Sequence, residues 1–322
     1  MVGSMYAAIS GLRAHQQKMN VIGNNIANVN TYGYKTQRTT FSESMYSSLR
    51  NSTAGTATQG GVNASQIGYG CNVGTIDMNM RTGTYAVTDS PLDLMIDGDG
   101  FLMVGKITPV TNGNGGTQGG ITIGGDLSGT GLQLTRVGDL RFDSNGYLTD
   151  GKGSVVYGFG VNDDGKYNTG SLIPIRLPLT DPADPASKPK EFSGISISAN
   201  GEITAHDEKE DKTVKIGCIA LGYVDNPSGL THLGGPYYQA GGNSGALRPG
   251  SCGGVVTDGN GQNQDALVNF ASKMVTGTLE MSNVDISNEF ADLITTQRGF
   301  QANTKIITVT DEMLADLVAM KR

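Results

Sequence analysis

Proline is confined to the middle of the chain, and this placement limits the possible fold more than any other feature. All ten prolines lie between Pro91 and Pro249, so residues 1–90 and 250–322 contain none. After Gly277 the only glycine is Gly299. Because proline breaks a helix and glycine weakens one, the two ends can form long helices that the middle cannot.

The C-terminal end carries a seam with strict 4-3 spacing, a period of 3.5 that is typical of a coiled coil. It predicts a helix of about 35 residues, which begins after an S-x-x-D capping box formed by Ser282 and Asp285. The residues expected to form the assembly seam of this helix are Ile286, Phe290, Leu293, Phe300, Ile307, Leu314 and Val318.

The N-terminal end repeats the spacing more weakly. Gly11 and Gly23 each cost a helix up to about 1 kcal/mol relative to alanine, so this helix should be marginal unless another helix packs against it. Its expected assembly residues are Met5, Ile9, Leu12, Met19, Ile22 and Ile26, with Asn24, Asn25, Asn28 and Asn30 expected to satisfy backbone groups where the helix ends. Two interpretations remain open: an antiparallel helix pair within one chain, or ends that become ordered only when subunits stack.

The middle of the chain has short alternating runs that end in turn signals, which predicts mainly antiparallel strands and an α+β fold. Hairpin turns are predicted at Asp97–Gly100, Asp143–Gly146, Asp163–Gly165 and Asn200–Gly201. The expected regions are an N-terminal helical assembly region at 1–30, an extended connector at 31–90, a β-rich core at 91–275 with a glycine-rich insert at 105–132, and a C-terminal helical assembly region at 276–322.

Composition and spacing argue against an enzyme or a nucleic-acid binder. The formal net charge is −7, so no cationic excess exists to neutralise phosphates. The three His and three Cys lack the spacing of a metal site or a catalytic motif, and the glycine-rich runs lack the phosphate-loop pattern. We therefore expect no catalytic residue, cofactor or metal ion. We also expect no membrane-spanning helix, since no apolar run of about 18 residues occurs.

Three stretches resemble a known family. NNIANVNTYGYKTQRTTF (24–41) is similar to the N-terminal signature of bacterial flagellar rod, hook and hook-associated proteins. LEMSNVDISNEFADLITTQRGFQANTKIITVTDEML (279–314) is similar to that family's other end, and PLDLMIDGDGFLMV (91–104) to its shared core strand. The resemblance implies helical ends that line a channel, with the strands forming the next layer of a helical tube.

Within the family, the C-terminal stretch and residues 41–82 most resemble hook proteins, and distal rod proteins are the alternative because they share both ends and the core. The chain differs from larger hook proteins between Leu177 and Ser193, where a proline-rich connection stands and the outer domain is expected to be absent or much reduced. The resemblance implies self-assembly, contacts with the rod, the hook-associated junction proteins and the hook cap, and type III export. It also implies a location outside the cell, without a cleaved signal peptide.

Overall fold

The computed structural model describes residues 2–55, 60–106, 120–123, 127–161, 167–168, 170–177, 192–207, 212–253 and 268–320. The chain forms two compact units. One, here called the terminal unit, contains Met1–Val29, Lys35–Asn79 and Val284–Arg322, and the other, the strand unit, contains Asn30–Tyr34 and Met80–Asn283. The strands between residues 37 and 78, which lie in the expected connector, thus belong with the helical ends.

The terminal unit is built from two long helices and two antiparallel strand pairs. Its elements are α1 (Val2–Ala27), β1 (Gln37–Glu43), β2 (Tyr46–Arg50), β3 (Ser65–Gly68), β4 (Cys71–Met78) and α2 (Ile286–Ala319). Strand β1 pairs with β4, and β2 pairs with β3. The predicted long C-terminal helix is confirmed at 34 residues.

The N-cap of α2 is Asp285, the second residue of the predicted capping box. Its carboxylate accepts hydrogen bonds from the backbone N–H groups of Ser287, at 2.9 Å, and Asn288, at 3.3 Å. These bonds satisfy two of the donors that a helix leaves unpaired at its first turn. The helix therefore begins at Ile286, directly after the predicted box.

Among the described residues of the strand unit, the regular secondary structure is β-strand, apart from one short 3₁₀ turn at Pro227–Gly229. Its strands are β5 (Tyr85–Val87), β6 (Leu94–Asp97), β7 (Phe101–Gly105), β8 (Ile121–Thr122), β9 (Gln133–Thr135), β10 (Leu140–Phe142), β11 (Leu148–Asp150), β12 (Val155–Gly160), β13 (Ser171–Pro174), β14 (Phe192–Ile197), β15 (Glu202–Asp207), β16 (Lys212–Ile219), β17 (Leu221–Tyr223), β18 (Thr231–Gly234), β19 (Tyr237–Gln239), β20 (Arg248–Cys252), β21 (Val268–Phe270), β22 (Lys273–Thr276) and β23 (Thr278–Glu280).

Strands β7 to β21 join in one sheet with the main order β14-β15-β16-β12-β7-β17-β20-β21. Strand β20 runs parallel to β21, and the other described pairs of this sheet are antiparallel. Two further antiparallel pairs, β6 with β22 and β5 with β23, complete the unit. The predicted α+β class, with helices at both ends and a central antiparallel β-domain, is confirmed.

The core of this unit lies under the central strands β7, β12 and β17. Leu102, Val156, Ile219 and Leu221 are fully buried there. Leu102 lies in the stretch 91–104, which the sequence analysis identified as a core strand.

Two of the predicted hairpin turns are confirmed. Asp143–Gly146 joins β10 to β11 and Asn200–Gly201 joins β14 to β15, with Gly146 and Gly201 at φ of +78° and +81°. The turn at Asp97–Gly100 is not a hairpin, because β6 pairs with β22 while β7 pairs with other strands. The turn at Asp163–Gly165, most of the 105–132 insert and the 178–190 connection lie outside the described residues.

Candidate assembly surface

The two helices of the terminal unit pair antiparallel within one chain. A methyl group added at Gly11 would lie 2.8 Å from Nδ2 of Asn303, and one added at Gly299 would lie 2.7 Å from Cε1 of His15. Nearer the other end of the pair, Lys18 Nζ lies 4.0 Å from a carboxylate oxygen of Asp292. The antiparallel pair is thus the arrangement of the single chain, and small or polar residues stand at the points of closest approach.

The face that α2 turns inward differs from the predicted seam. Its more buried positions are Glu289, Leu293, Thr296, Phe300, Asn303, Ile307, Thr310 and Leu314. These positions also follow 4-3 spacing, and they include the predicted Leu293, Phe300, Ile307 and Leu314. The other three residues of the predicted seam, Ile286, Phe290 and Val318, are exposed. The remaining inner positions of the pair are Glu289, Thr296, Asn303 and Thr310.

Asn25 ties the end of α1 to the start of β1 and of α2. Its side chain donates 2.8 Å to the carbonyl oxygen of Gln37 and accepts 3.0 Å from the N–H of Gln37. The same amide donates to Oε1 of Glu289 at 3.0 Å, and Thr36 Oγ1 donates to that oxygen at 3.3 Å. Asn25 is only 1% exposed, so these bonds meet the requirement that buried polar groups be paired.

Burial raises the pKa of Glu289, and the hydrogen bonds from Asn25 and Thr36 oppose that shift. The cause is the cost of removing a carboxylate from water. Sequence reasoning missed Glu289 because a carboxylate does not fit an apolar seam, although it stands seven residues before Thr296 and fourteen before Asn303, on the same heptad position.

The structure places the other sequence-predicted residues in three groups. Ile22 is buried with Asn25. Met5, Ile9, Leu12, Met19, Ile26, Asn28, Leu293, Phe300, Ile307 and Leu314 are half-buried. Asn24, Asn30, Ile286, Phe290 and Val318 are exposed. Asn28 caps locally, because its Nδ2 donates 2.9 Å to the carbonyl oxygen of Asn24.

A second apolar stripe, which the sequence analysis did not single out, runs along the C-terminal half of α2. It consists of Ile306, Val309, Met313, Leu317 and Met320, all exposed. Their 3-4-4-3 spacing puts them on one face of the helix. The spacing of these apolar residues was visible in the sequence, but the same segment had already been assigned to the predicted seam.

An open groove of about 560 Å³ lies between α1 and the strand region 69–73. Ile9, Arg13 and Val73 are among its lining residues. The groove is shallow and contains a single charged side chain, Arg13, so it offers no convergent set of catalytic groups.

The described residues hold no cluster of three or more His, Cys, Asp or Glu side chains that could bind a metal ion. None of the described helices is long and apolar enough to cross a membrane. Cys218 is buried in strand β16, Cys252 is also buried, and Cys71 is half-buried. Burial raises the pKa of Cys218 to about 12 and that of Cys252 to about 11, which keeps both thiols protonated and unreactive at neutral pH.

Comparisons with known proteins place both ends of the chain in one family. A model described as the C-terminal part of flagellar basal body rod FlgEFG proteins matches residues 275–320, and one described as flagella basal body rod protein matches residues 5–35.

The relatives of this chain include rod proteins and hook proteins. The flagellar basal-body rod protein FlgG of Bacillus subtilis is 34% identical over 326 residues and the whole of both chains. The flagellar hook protein FlgE of Borreliella burgdorferi is 26% identical over 463 residues, again over the whole of both chains. The hook protein FlgE of Helicobacter mustelae is 30% identical over 70% of this chain and 47% of its own length.

Proposed function

Because this chain belongs to the family of flagellar basal-body rod and hook proteins, we propose that it is a structural subunit that polymerises into a tubular part of the flagellar axis. The observation that carries this proposal is the apolar surface that the helix pair leaves uncovered. Soluble monomers rarely expose a contiguous apolar face without using it for binding.

The pair is unequal in length, and this leaves one end of α2 without a partner helix. Helix α1 has 26 residues and α2 has 34. The facing of Gly11 with Asn303 and of His15 with Gly299 sets a register in which residue 2 comes opposite residue 312. The last two turns of α2 therefore extend past α1, and of residues 313–320 only Leu314 is even half-buried.

The part of α2 beyond α1 is apolar enough to bind another helix. Met313, Leu317, Val318 and Met320 are 44–76% exposed. Covering such side chains stabilises a contact by about 25 cal/mol for each Å² of apolar surface removed from water. A second copy of this chain is the partner that we propose, since a heterologous contact that does not close on itself generates a helical filament.

The proposed position in the axis is the hook, where the polymer would serve as a flexible joint between the rod and the filament. The support is the likeness of residues 279–314 and 41–82 to hook proteins, together with the hook-protein relatives from Borreliella and Helicobacter. The proposed partners are other copies of the chain, the rod, the hook-associated junction proteins, the hook cap and the type III export apparatus. The proposed location is outside the cell, and the role requires no catalysis.

The distal rod is the second candidate, and one observation favours it. The rod protein of Bacillus aligns over 326 positions, close to the 322 residues of this chain, whereas the Borreliella hook protein needs 463 positions. A chain of rod-protein length, without an inserted outer domain, suits the rod as well as a short hook.

Charging the exposed stripe tests the polymer. In the double variant Met313→Asp and Leu317→Asp, we expect at least a tenfold loss of polymer, because each subunit contact would bury a carboxylate. The matched control is Thr308→Asp, an exposed position on another face of the same helix. Polymer is measured by electron microscopy, and monomer folding by the helical circular dichroism signal.

Four outcomes separate the proposals. Equal polymer yield from both variants would refute the role of the stripe. Curved or bendable tubes from the unchanged chain support the hook, and straight rigid tubes support the distal rod. A chain that stays monomeric at all concentrations, and that forms no tubes on cell-derived axial structures, would contradict polymerisation itself.

A further inference from the structure

A buried ion pair joins two distant segments of the strand unit. Arg136 Nη1 lies 3.7 Å from Oε2 of Glu280, and the two side chains are 2% and 0% exposed. The guanidinium also donates 3.4 Å to the carbonyl oxygen of Ile96 and lies 5.0 Å from the ring centre of Phe101. Burial lowers the pKa of Arg136, and the negative charge of Glu280 opposes that shift.

The other polar atoms of Glu280 hold two more segments. Its Oε1 accepts a 2.9 Å hydrogen bond from the N–H of Gly83, and its backbone carbonyl accepts a 2.8 Å bond from the N–H of Gly33. Gly33 has φ of +68°, and a methyl group there would lie 2.8 Å from Cγ2 of Val137. Glu280 thus contacts Gly33, Gly83 and Arg136, which lie in three separate segments of the chain.

Hydrogen bonds next to Glu280 hold segment 80–85 at several points along its length. Glu280 pairs with Tyr85 in the β5–β23 ladder, and the N–H of Met281 donates 2.8 Å to the carbonyl oxygen of Thr84. Asn283 Nδ2 then donates 3.0 Å to the carbonyl oxygen of Arg81. Segments 80–85 and 278–283 therefore run side by side.

These segments are the ones through which the chain leaves the strand unit. The chain passes between the two units after residues 29, 34, 79 and 283, and each crossing lies within six residues of a bond to Glu280 or to its neighbours. Replacing a buried ion pair with apolar residues is often neutral for stability. The stability of the core therefore does not by itself explain why Arg136 and Glu280 stand at these buried positions.

We propose that Glu280 is a charged latch, which gathers every connection to the terminal unit at one point on the strand unit. When the bonds of Glu280 are formed, which we call the closed latch, a mechanical force applied to either chain terminus is transmitted to the strand unit at Glu280 and Arg136. With the latch open, segments 30–34 and 80–85 are released while the sheet of β7 to β21 stays folded. This role concerns the single chain, so its failure would leave the polymer proposal intact.

The test uses the full chain, with Glu280→Gln as the variant. The amide cannot both accept the hydrogen bond from Gly83 and neutralise Arg136. We therefore expect hydrogen exchange in a peptide covering residues 80–85 to accelerate about tenfold or more, which corresponds to the loss of one or two hydrogen bonds. Trypsin cleavage after Arg81 should accelerate in parallel. Exchange in Val155–Gly160 should stay at the wild-type rate.

The matched control is Glu202→Gln, which removes another paired carboxylate of the strand unit, 3.3 Å from Lys215 Nζ. It should leave residues 80–85 as protected as in the wild type. Unchanged exchange in a folded Glu280→Gln protein would overturn the latch.

Where Glu280→Gln fails to fold, the double variant Arg136→Met and Glu280→Met decides. It removes both charges together and fills the space with apolar groups. A folded double variant with fast exchange at 80–85 supports the latch. A folded one with wild-type protection there, or one whose sheet does not fold, overturns it.

Discussion

At the scale of single residues, the helix pair depends on side chains that an apolar pattern does not select. His15 packs between Gly299 of α2 and the ring of Phe41, whose centre lies 5.4 Å from that of the imidazole. Its Nδ1 atom is buried and has no hydrogen-bond partner among the described residues. A protonated imidazole would therefore be a poorly solvated charge at the centre of the pair.

This position predicts a loss of stability in acid. Burial lowers the pKa of His15 from its ordinary 6.5, and the nearby charge of Lys18 lowers it further. Because the unfolded chain then takes up a proton more readily than the folded one, stability from His15 is complete above about pH 6.5 and is lost as the pH falls below it. The variant His15→Gln should show a smaller decrease in the melting temperature of the helical signal between pH 7.5 and 5.

The control for that prediction is His232→Gln, which changes an exposed histidine of the strand unit. The melting temperature of the helical signal in this variant should change with pH as it does in the wild type. If the melting temperature of His15→Gln falls with pH as steeply as that of the wild type, protonation of His15 does not destabilise the fold.

At the scale of elements, the presence of a helix at each end of the chain could be predicted from the sequence, but the face that each helix buries could not. Four residues of the predicted α2 seam are half-buried in the unit, and the remaining positions of the inner face are Glu289, Thr296, Asn303 and Thr310. The strands differed, because the local Asn200–Gly201 turn signal already predicted the hairpin that joins β14 to β15. A hairpin needs only local information, whereas a helix face is chosen by distant residues.

The close approach of the helices predicts opposite effects for two glycines. Gly299→Ala would bring a methyl group to 2.7 Å from His15 Cε1, so we expect it to destabilise the pair by about 1–3 kcal/mol. Gly23→Ala meets nothing within 4 Å, so it should stabilise α1 by up to about 1 kcal/mol through helix propensity. Chemical unfolding followed by the helical signal measures both.

Each variant is the control for the other, since both replace a helical glycine with alanine. Stabilisation by both would mean that the ring of His15 moves aside at no cost. Destabilisation by both would place Gly23 in a contact that the single chain does not show.

At the scale of the whole molecule, the chain consists of two units with separate internal contacts. The strand unit has its own apolar core of residues such as Leu102 and Leu221. The terminal unit contains both long helices and the exposed stripe of α2. Under the proposed function, the strand unit would fold on its own core and the terminal unit would carry the polymer contacts.

We therefore predict that residues 80–283 fold alone and do not polymerise. The fragment keeps the buried core but lacks α1, α2 and the stripe. It should unfold in a single cooperative transition, give a β-type circular dichroism spectrum, and remain monomeric at concentrations where the full chain forms tubes. An unfolded fragment would show that the terminal unit is needed for folding, and tubes from the fragment would contradict the assigned role of the helices.

The sequence by itself determined what depends on neighbours along the chain: helices at the proline-free ends, strands and tight turns in the middle, and the family likeness of both termini. Tertiary structure decided what depends on residues far apart in sequence, namely the inner face of α2, the network of Asn25 with Glu289, and the pairing of Arg136 with Glu280. The physical reason is that periodicity records which residues share a face, while the choice of the buried face, and of the charges that can be paired inside, is made by the partner that packs against it.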